Sequence, residues 1–290
     1  MGENTGCAIS GCVSCGGTVA PDGHCWDCGT AQPDFRARLE VTGAGGAAGI
    51  SDRGRRRGVN ADALALTTSG MWTIGVVCDG VSMAPRAERA AQVAAEVGAA
   101  ATAALLGDGI LPELALAEAA VRAGKAVAAL AGSPVPALSS PESLAPACTY
   151  VAGIVGPEGI WTAGVGDSRA YWLPDDGPGF PMTDDATAEL GVLTAWLGAD
   201  AGEPAPHVRS YRPRELGRLL LCSDGLWRYL PTAEALRAVA DGPRTDDPAG
   251  RGGGGPALAD VRALIDHAIA SGGHDNVTAL VLPVAPASTS

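Results

Sequence analysis

The 290-residue chain is 47% hydrophobic and 18% charged, which supports one sizeable core plus a small appendage and argues against disorder over most of its length. Its formal net charge of −12 argues against nucleic acid or an anionic membrane as partner, because phosphate-rich surfaces attract basic ones. No run of about twenty uncharged apolar residues and no basic-then-apolar N-terminus is seen, so the chain is expected to be cytoplasmic, without a membrane partner.

Residues 1–33 read as a separate module. Cys12-x-x-Cys15 and Cys25-x-x-Cys28 are each followed by glycine, and nine residues separate the pairs. Two such turns present four soft thiolates to one ion, a structural Zn²⁺ site of ribbon or knuckle type. A disulfide pair or a redox C-x-x-C is the alternative, disfavoured by the lack of a βαβ pattern around it. Cys7 and His24 read as spare or substitute ligands, and Cys7 also as a free thiol in a tail. The module either binds a protein partner or docks on the body of the chain.

Residues 34–40 are expected to be a linker and 41–285 the main domain. Short strands are expected over 39–42 and 47–51, followed by the arginine-rich stretch Arg53, Arg55, Arg56 and Arg57. The plain reading of that stretch is a solvated loop. The competing one is a phosphate clamp, since a guanidinium binds two phosphate oxygens at once. Ala63 to Thr68 and Trp72 to Cys78 form a hairpin that brings Asp62 and Asp79 to one end. Helices are expected from Pro85 to Leu106 and from Pro112 to Ala131, each opened by proline.

A Pro/Ser-rich loop over 132–146 precedes strands at 148–155, 159–163 and 169–173, with Asp167 in the turn before the last. A helix is expected from Thr187 to Trp196, with Asp184 and Asp185 as caps. A strand near 207–211 and the apolar run Arg218 to Cys222 come next, the latter ending in Ser223-Asp224-Gly225. A helix from Thr232, a flexible insertion over 241–256, a helix over 257–271, a final strand after Asp275 and a disordered tail at 286–290 complete the chain. Asp79, Asp224 and Asp275 thus sit at strand ends, and hard oxygen ligands gathered there call for Mg²⁺ or Mn²⁺.

Five words in this order, Arg57-Gly58-Val59-Asn60-Ala61-Asp62, Asp79-Gly80, Gly166-Asp167-Ser168-Arg169, Cys222-Ser223-Asp224-Gly225 and Asp275-Asn276-Val277-Thr278, resemble the motifs of PP2C-type (PPM) metal-dependent Ser/Thr protein phosphatases of bacterial type. The resemblance implies an α+β fold, a four-layer α-β-β-α sandwich of two mainly antiparallel sheets, with the zinc ribbon appended. It implies hydrolysis of phosphoserine and phosphothreonine in phosphorylated protein substrates by direct attack of a hydroxide bridging two ions. By the same resemblance Asp79 bridges the ions, the Gly80 carbonyl ligates one, Asp224 and Asp275 hold the other and Asp62 acts through water. Arg57 binds the phosphate, and Asp167 belongs to a third, weaker metal site.

Two positions depart from the family pattern. Ala61 stands where Glu is usual, and Val81-Ser82-Met83 follow Asp79-Gly80 where His-Gly-Gly or Met-Gly-Gly is usual. They favour the alternative, a weakly active or inactive pseudophosphatase that binds phosphoproteins as a regulatory module.

Overall fold

The computed structural model describes residues 11–19, 23–30, 32, 37–132, 145–188, 192–242 and 255–287. Cys7, residues 34–36 of the expected linker, most of the Pro/Ser-rich loop, most of the expected insertion and the end of the tail lie outside the described residues. In chain order the elements are β1 (Arg38–Thr42), β2 (Ala48–Asp52), β3 (Ala63–Ser69), β4 (Trp72–Cys78), α1 (Ala87–Gly107), α2 (Pro112–Ala129), β5 (Ala147–Cys148), β6 (Tyr150–Gly156), β7 (Gly159–Val165), β8 (Arg169–Pro174), β9 (Phe180–Pro181), β10 (Leu197–Gly198), β11 (His207–Tyr211), β12 (Gly217–Cys222), α3 (Asp224–Trp227), α4 (Ala233–Ala240), α5 (Pro256–Ala270) and β13 (Val277–Val284).

Two antiparallel sheets, ordered β1-β2-β13-β12-β8-β9 and β11-β7-β6-β4-β3, form the inner layers, and β5 pairs with β10 beside them. The two-residue period of the strands decides what each face meets. Leu219 and Leu221 of β12 face the other sheet, where they meet Val77, Val151 and Ile160, while Leu220 and Cys222 face α4 and α5. On the opposite side Ile74, Val76 and Cys78 of β4 pack against the alanine-rich faces of α1 and α2. The expected α-β-β-α sandwich is the fold. By length and composition α1 could span a membrane, but half of it is buried, its apolar face spent on α2, β3 and β4.

Close contact between the sheets depends on glycine beneath the leucines. A Cβ on Gly75 would stand 2.4 Å from Leu280 Cδ2.

The structure differs from the sequence expectations in several places. Among the described residues between Thr187 and Trp196 no helix forms: Thr187 bridges Leu193, and the Thr194 N–H donates to the Ala186 carbonyl at 2.8 Å. Long-range ion pairs anchor the two residues that lead into it. Asp185 binds Arg169 at 2.7 Å and Asp184 binds Arg209 at 2.6 Å, so neither is a helix cap. α1 starts at Ala87, because Arg86 takes a left-handed conformation (φ 53°) after Pro85, with its guanidinium donating to the Leu130 carbonyl. The first sheet already begins at Arg38, inside the expected linker, where Arg38 pairs with Asp52 at 3.0 Å.

Gly75→Val is expected to lower unfolding stability by about 1–3 kcal/mol in urea titrations, and a second change, Leu280→Ala, to restore part of that loss.

Candidate metal centre

Each acidic residue of the site is delivered by a strand end. Asp62 immediately precedes β3, Asp79 follows β4, Asp224 follows β12 at the start of α3, and Asp275 lies just before β13. The β3/β4 register pairs Ala63 with Cys78, which sets Asp62 and Asp79 side by side. The β12/β13 register pairs Cys222 with Ala279 and brings Asp224 to the same end as Asp275. Glycine follows Asp224 because the backbone of Asn276 passes there, and a Cβ on Gly225 would stand 1.9 Å from the Asn276 carbonyl oxygen.

Hydroxyl groups fix this end of the sandwich. Ser223 Oγ and Thr278 Oγ1 donate to Asp62 Oδ2 at 2.7 and 2.8 Å, and the Thr278 N–H donates to Ser223 Oγ at 3.0 Å. Thr149 brackets Asp79: its Oγ1 accepts from the Asp79 N–H at 3.1 Å, and its own N–H donates to the Asp79 carbonyl at 2.8 Å. Asn276 donates to the carbonyls of Arg53 and Val59 at 2.8 and 3.0 Å and accepts from the Ala61 N–H at 2.8 Å, so it shapes the arginine loop.

The carboxylates act on one another. Burial, then the charges of Asp62, Asp224 and Asp275, push Asp79 well above the usual carboxylate range. Burial raises Asp62 to about 7 against two hydroxyl donors, with the Asp224 and Asp275 charges adding to the rise. Asp224 is also raised, by burial first. Asp62 Oδ1 and Asp224 Oδ1 are buried with no hydrogen-bond partner. An all-oxygen donor set with raised acids and two unsatisfied buried oxygens fits a hard divalent cation such as Mn²⁺ or Mg²⁺.

Guanidinium groups border the cage. Arg57 donates through Nε and Nη2 to both oxygens of Asp275, each at 2.7 Å, and also feels Asp79 and Asp224. Arg228, which the sequence reading did not single out, pairs with Asp224 at 2.8 Å. Arg55 and Arg56 are exposed as expected, but Arg53 is half-buried, its carbonyl held by Asn276.

Asp167 lies outside this hydroxyl network. It is buried and raised to about 6 by burial and by Asp224 and Asp185, while Arg228 opposes the rise. The Trp227 Nε1–H donates to the Asp167 carbonyl at 2.8 Å. Next to it, Arg169 is fully engaged, bidentate to Asp185 and 3.7 Å over the Trp227 ring. This pair lines a cavity of about 580 Å³, with Thr232 and Glu234 on its wall. His274 is likewise structural, its Nδ1 lying 2.6 Å from the Tyr229 hydroxyl.

The four cysteines of the N-terminal module converge. Their sulfurs lie within 4.8 Å of one another, and they are the only group of three or more metal-type ligands that close among the described residues; the aspartates spread wider. Cys12 to Cys28 is 3.6 Å and Cys15 to Cys25 is 3.5 Å, with all four thiols free. The Ser14 and Asp27 N–H groups donate to Cys12 and Cys25 Sγ at 3.3 Å, each turn closing on a glycine at φ 73°. His24 does not join the cluster. Its Nε2 lies 2.5 Å from Glu88 Oε1 on α1, so the module touches the body of the chain.

Fold and cage together define a metal-dependent protein phosphatase by class. Residues 52–247 match the family model for protein phosphatase 2C, and the chain belongs to that family. Among solved structures, the catalytic domain of the serine/threonine protein phosphatase PstP in complex with two manganese ions is 25% identical, covering 82% of this chain and 97% of that one at a TM-score of 0.61. The PPM Ser-Thr phosphatase MsPP from Mycobacterium smegmatis, with cacodylate, is 27% identical over 82% of this chain and 97% of that one, at a TM-score of 0.58. The Mycobacterium tuberculosis phosphatase PstP/Ppp, 24% identical over 82% of this chain and 98% of that one at a TM-score of 0.61, shares the fold. No curated protein matches the chain.

The raised acids fix a pH dependence. Between the ordinary Asp value of 3.8 and about 7, folded Asp62 holds a proton that the unfolded chain has lost. Stability of the metal-free protein is therefore expected to fall as pH rises through that window. A divalent cation replaces the proton, so thermal scans with and without Mn²⁺ should show a larger rise in Tm at pH 8 than at pH 5.

Proposed function

We propose that the chain hydrolyses phosphoserine and phosphothreonine in phosphorylated proteins, with Mn²⁺ or Mg²⁺ held by Asp79, Asp224, Asp275 and the Gly80 carbonyl, and by Asp62 through water. The observation that carries this is the convergence of four carboxylates, two with unsatisfied buried oxygens, in a protein phosphatase 2C chain. When bound, the ions supply Lewis-acid neutralisation of phosphoryl charge and a nucleophile at neutral pH.

The chain's own residues do the rest. Ser223 and Thr278 fix the orientation of Asp62, so that Oδ1 is the oxygen left for the cage. Arg57 holds Asp275 by one edge and is 39% exposed, which lets it meet a phosphoryl group arriving from solvent. Position 81 is Val, so protonation of the departing serine or threonine oxygen falls to water.

A second reading has its own observation. Ala61 and Val81 depart from the family, and Arg57 and Arg228 occupy oxygens of Asp275 and Asp224, as in a phosphoprotein-binding module of low activity. The complete carboxylate set favours the enzyme.

For the N-terminal module we propose structural Zn²⁺. Thiolates about 2.3 Å from one tetrahedral ion stand about 3.8 Å apart, close to the observed spacings and far beyond a disulfide's roughly 2.05 Å. The His24–Glu88 contact supports docking on the body over capture of a partner by that face.

With Mn²⁺ and a phosphothreonine peptide, phosphate release should be measurable, and Asp79→Asn or Asp224→Asn should each reduce it by about 100-fold or more. A folded, Mn²⁺-binding wild type without turnover would establish the binding module instead. Elemental analysis should find one zinc per chain, lost in Cys25→Ser together with hydrogen-exchange protection over residues 11–32.

A further inference from the structure

Arg228 has no part in the reading above except as a neighbour of Asp224. It follows the single turn of α3, four residues beyond Asp224, and its Nη2 lies 2.8 Å from Asp224 Oδ2. The guanidinium carbon is 5.6 Å from the centre of the Trp227 ring. That indole is itself pinned, stacked under Arg169 at 3.7 Å and donating through Nε1 to the Asp167 carbonyl. Trp227 therefore couples the turn carrying Asp167 to the residue before Arg228.

Asp167 and Asp224 are both buried, and Asp224 acts on Asp167 as a like charge. Arg228 pairs with Asp224 at 2.8 Å, and Trp227 beside it holds the Asp167 carbonyl at 2.8 Å, so its positive charge stands on the flank that both residues occupy. Arg228 is 59% exposed while its target is 12% exposed, the geometry of a tethered cation reaching over the rim. A guanidinium stays charged at every working pH and presents a planar donor fork to carboxylate oxygens. A free divalent ion arriving at this flank would meet that fixed charge and would have to displace it from Asp224.

We propose that Arg228 acts as a built-in counter-cation on the Asp224–Asp167 side of the cage and takes the place of a third divalent ion there. The inference rests on the cage being a metal centre. It makes Arg228 a positioning residue that sets how many ions the chain holds.

The test is a Mn²⁺ titration of the full-length, zinc-loaded chain, followed by calorimetry and by the electron paramagnetic resonance signal of free Mn²⁺. Wild type and Arg228→Lys are expected to bind two ions. Arg228→Met, which keeps the length and removes the charge, should gain a third, weaker ion that Arg228→Met/Asp167→Asn loses again. A wild type that already binds three, or an Arg228→Met variant indistinguishable from wild type, overturns the proposal. Binding of no Mn²⁺ overturns it together with the metal reading. Phosphothreonine hydrolysis measured in parallel keeps the two readings apart: absent turnover counts against the phosphatase, while the ion count still decides the role of Arg228.

Discussion

Like charges crowded at one end of two sheets are the constraint on which this molecule depends. Asp62, Asp79, Asp224 and Asp275 come from strands far apart in sequence, and their like charges add to the burial that pushes Asp62, Asp79 and Asp224 up. Burying an ionised carboxylate is costly unless it is paired, protonated or bound to a metal. Each feature around the cage answers that cost: hydroxyl donors on Asp62, Arg57 on Asp275, Arg228 on Asp224 and, at Asp79, a carboxyl pushed well above the usual carboxylate range. A divalent ion would answer it more completely, because it brings two charges to the point where four acids meet.

The sandwich makes such crowding tolerable. Leucines over glycines lock the sheets together, as Leu280 does over Gly75, and the strand ends cannot drift apart to relieve repulsion. Buried hydroxyls extend the same rigidity to the ligands. Thr278 Oγ1 reaches both Asp62 at 2.8 Å and Ser51 at 2.8 Å, and Asn60 donates to Ser51 at 2.9 Å. β2, β13 and the loop before β3 are thereby tied into one unit.

Much of this was legible in the sequence because apolar runs ending in Asp-Gly are local signals. The β3/β4 hairpin, the run into Asp224, the strand after Asp275 and the cysteine spacing all follow from residues close to one another in sequence. What escaped reading is long-range. The Thr278–Asp62 bond spans 216 positions and the Arg57–Asp275 pair 218, and no local pattern announces either. The missing helix after Thr187 has the same origin. Its local sequence allows a helix, while Asp184 and Asp185 are claimed by Arg209 and Arg169 from other strands. Tertiary pairing overrode local propensity. Ser223 and Thr278 stood inside the quoted motifs, and their hydroxyls beside two acids were the available hint.

The departure at Ala61 gains a physical meaning from the same contacts. A carboxylate there would add a fifth acid to a cage in which Asp62, Asp79 and Asp224 are already pushed up. Ala61 instead contributes its backbone: its N–H donates to Asn276 Oδ1 at 2.8 Å, and its carbonyl accepts from the Gly80 N–H at 3.2 Å. Both contacts hold the residue before Asp62 and the residue after Asp79 in register without adding charge. Orientation of Asp62 comes from Ser223 and Thr278, which are neutral. The chain thus achieves with hydroxyls and main-chain groups the ordering that a further acid would supply at greater electrostatic cost, and the four acids themselves are retained.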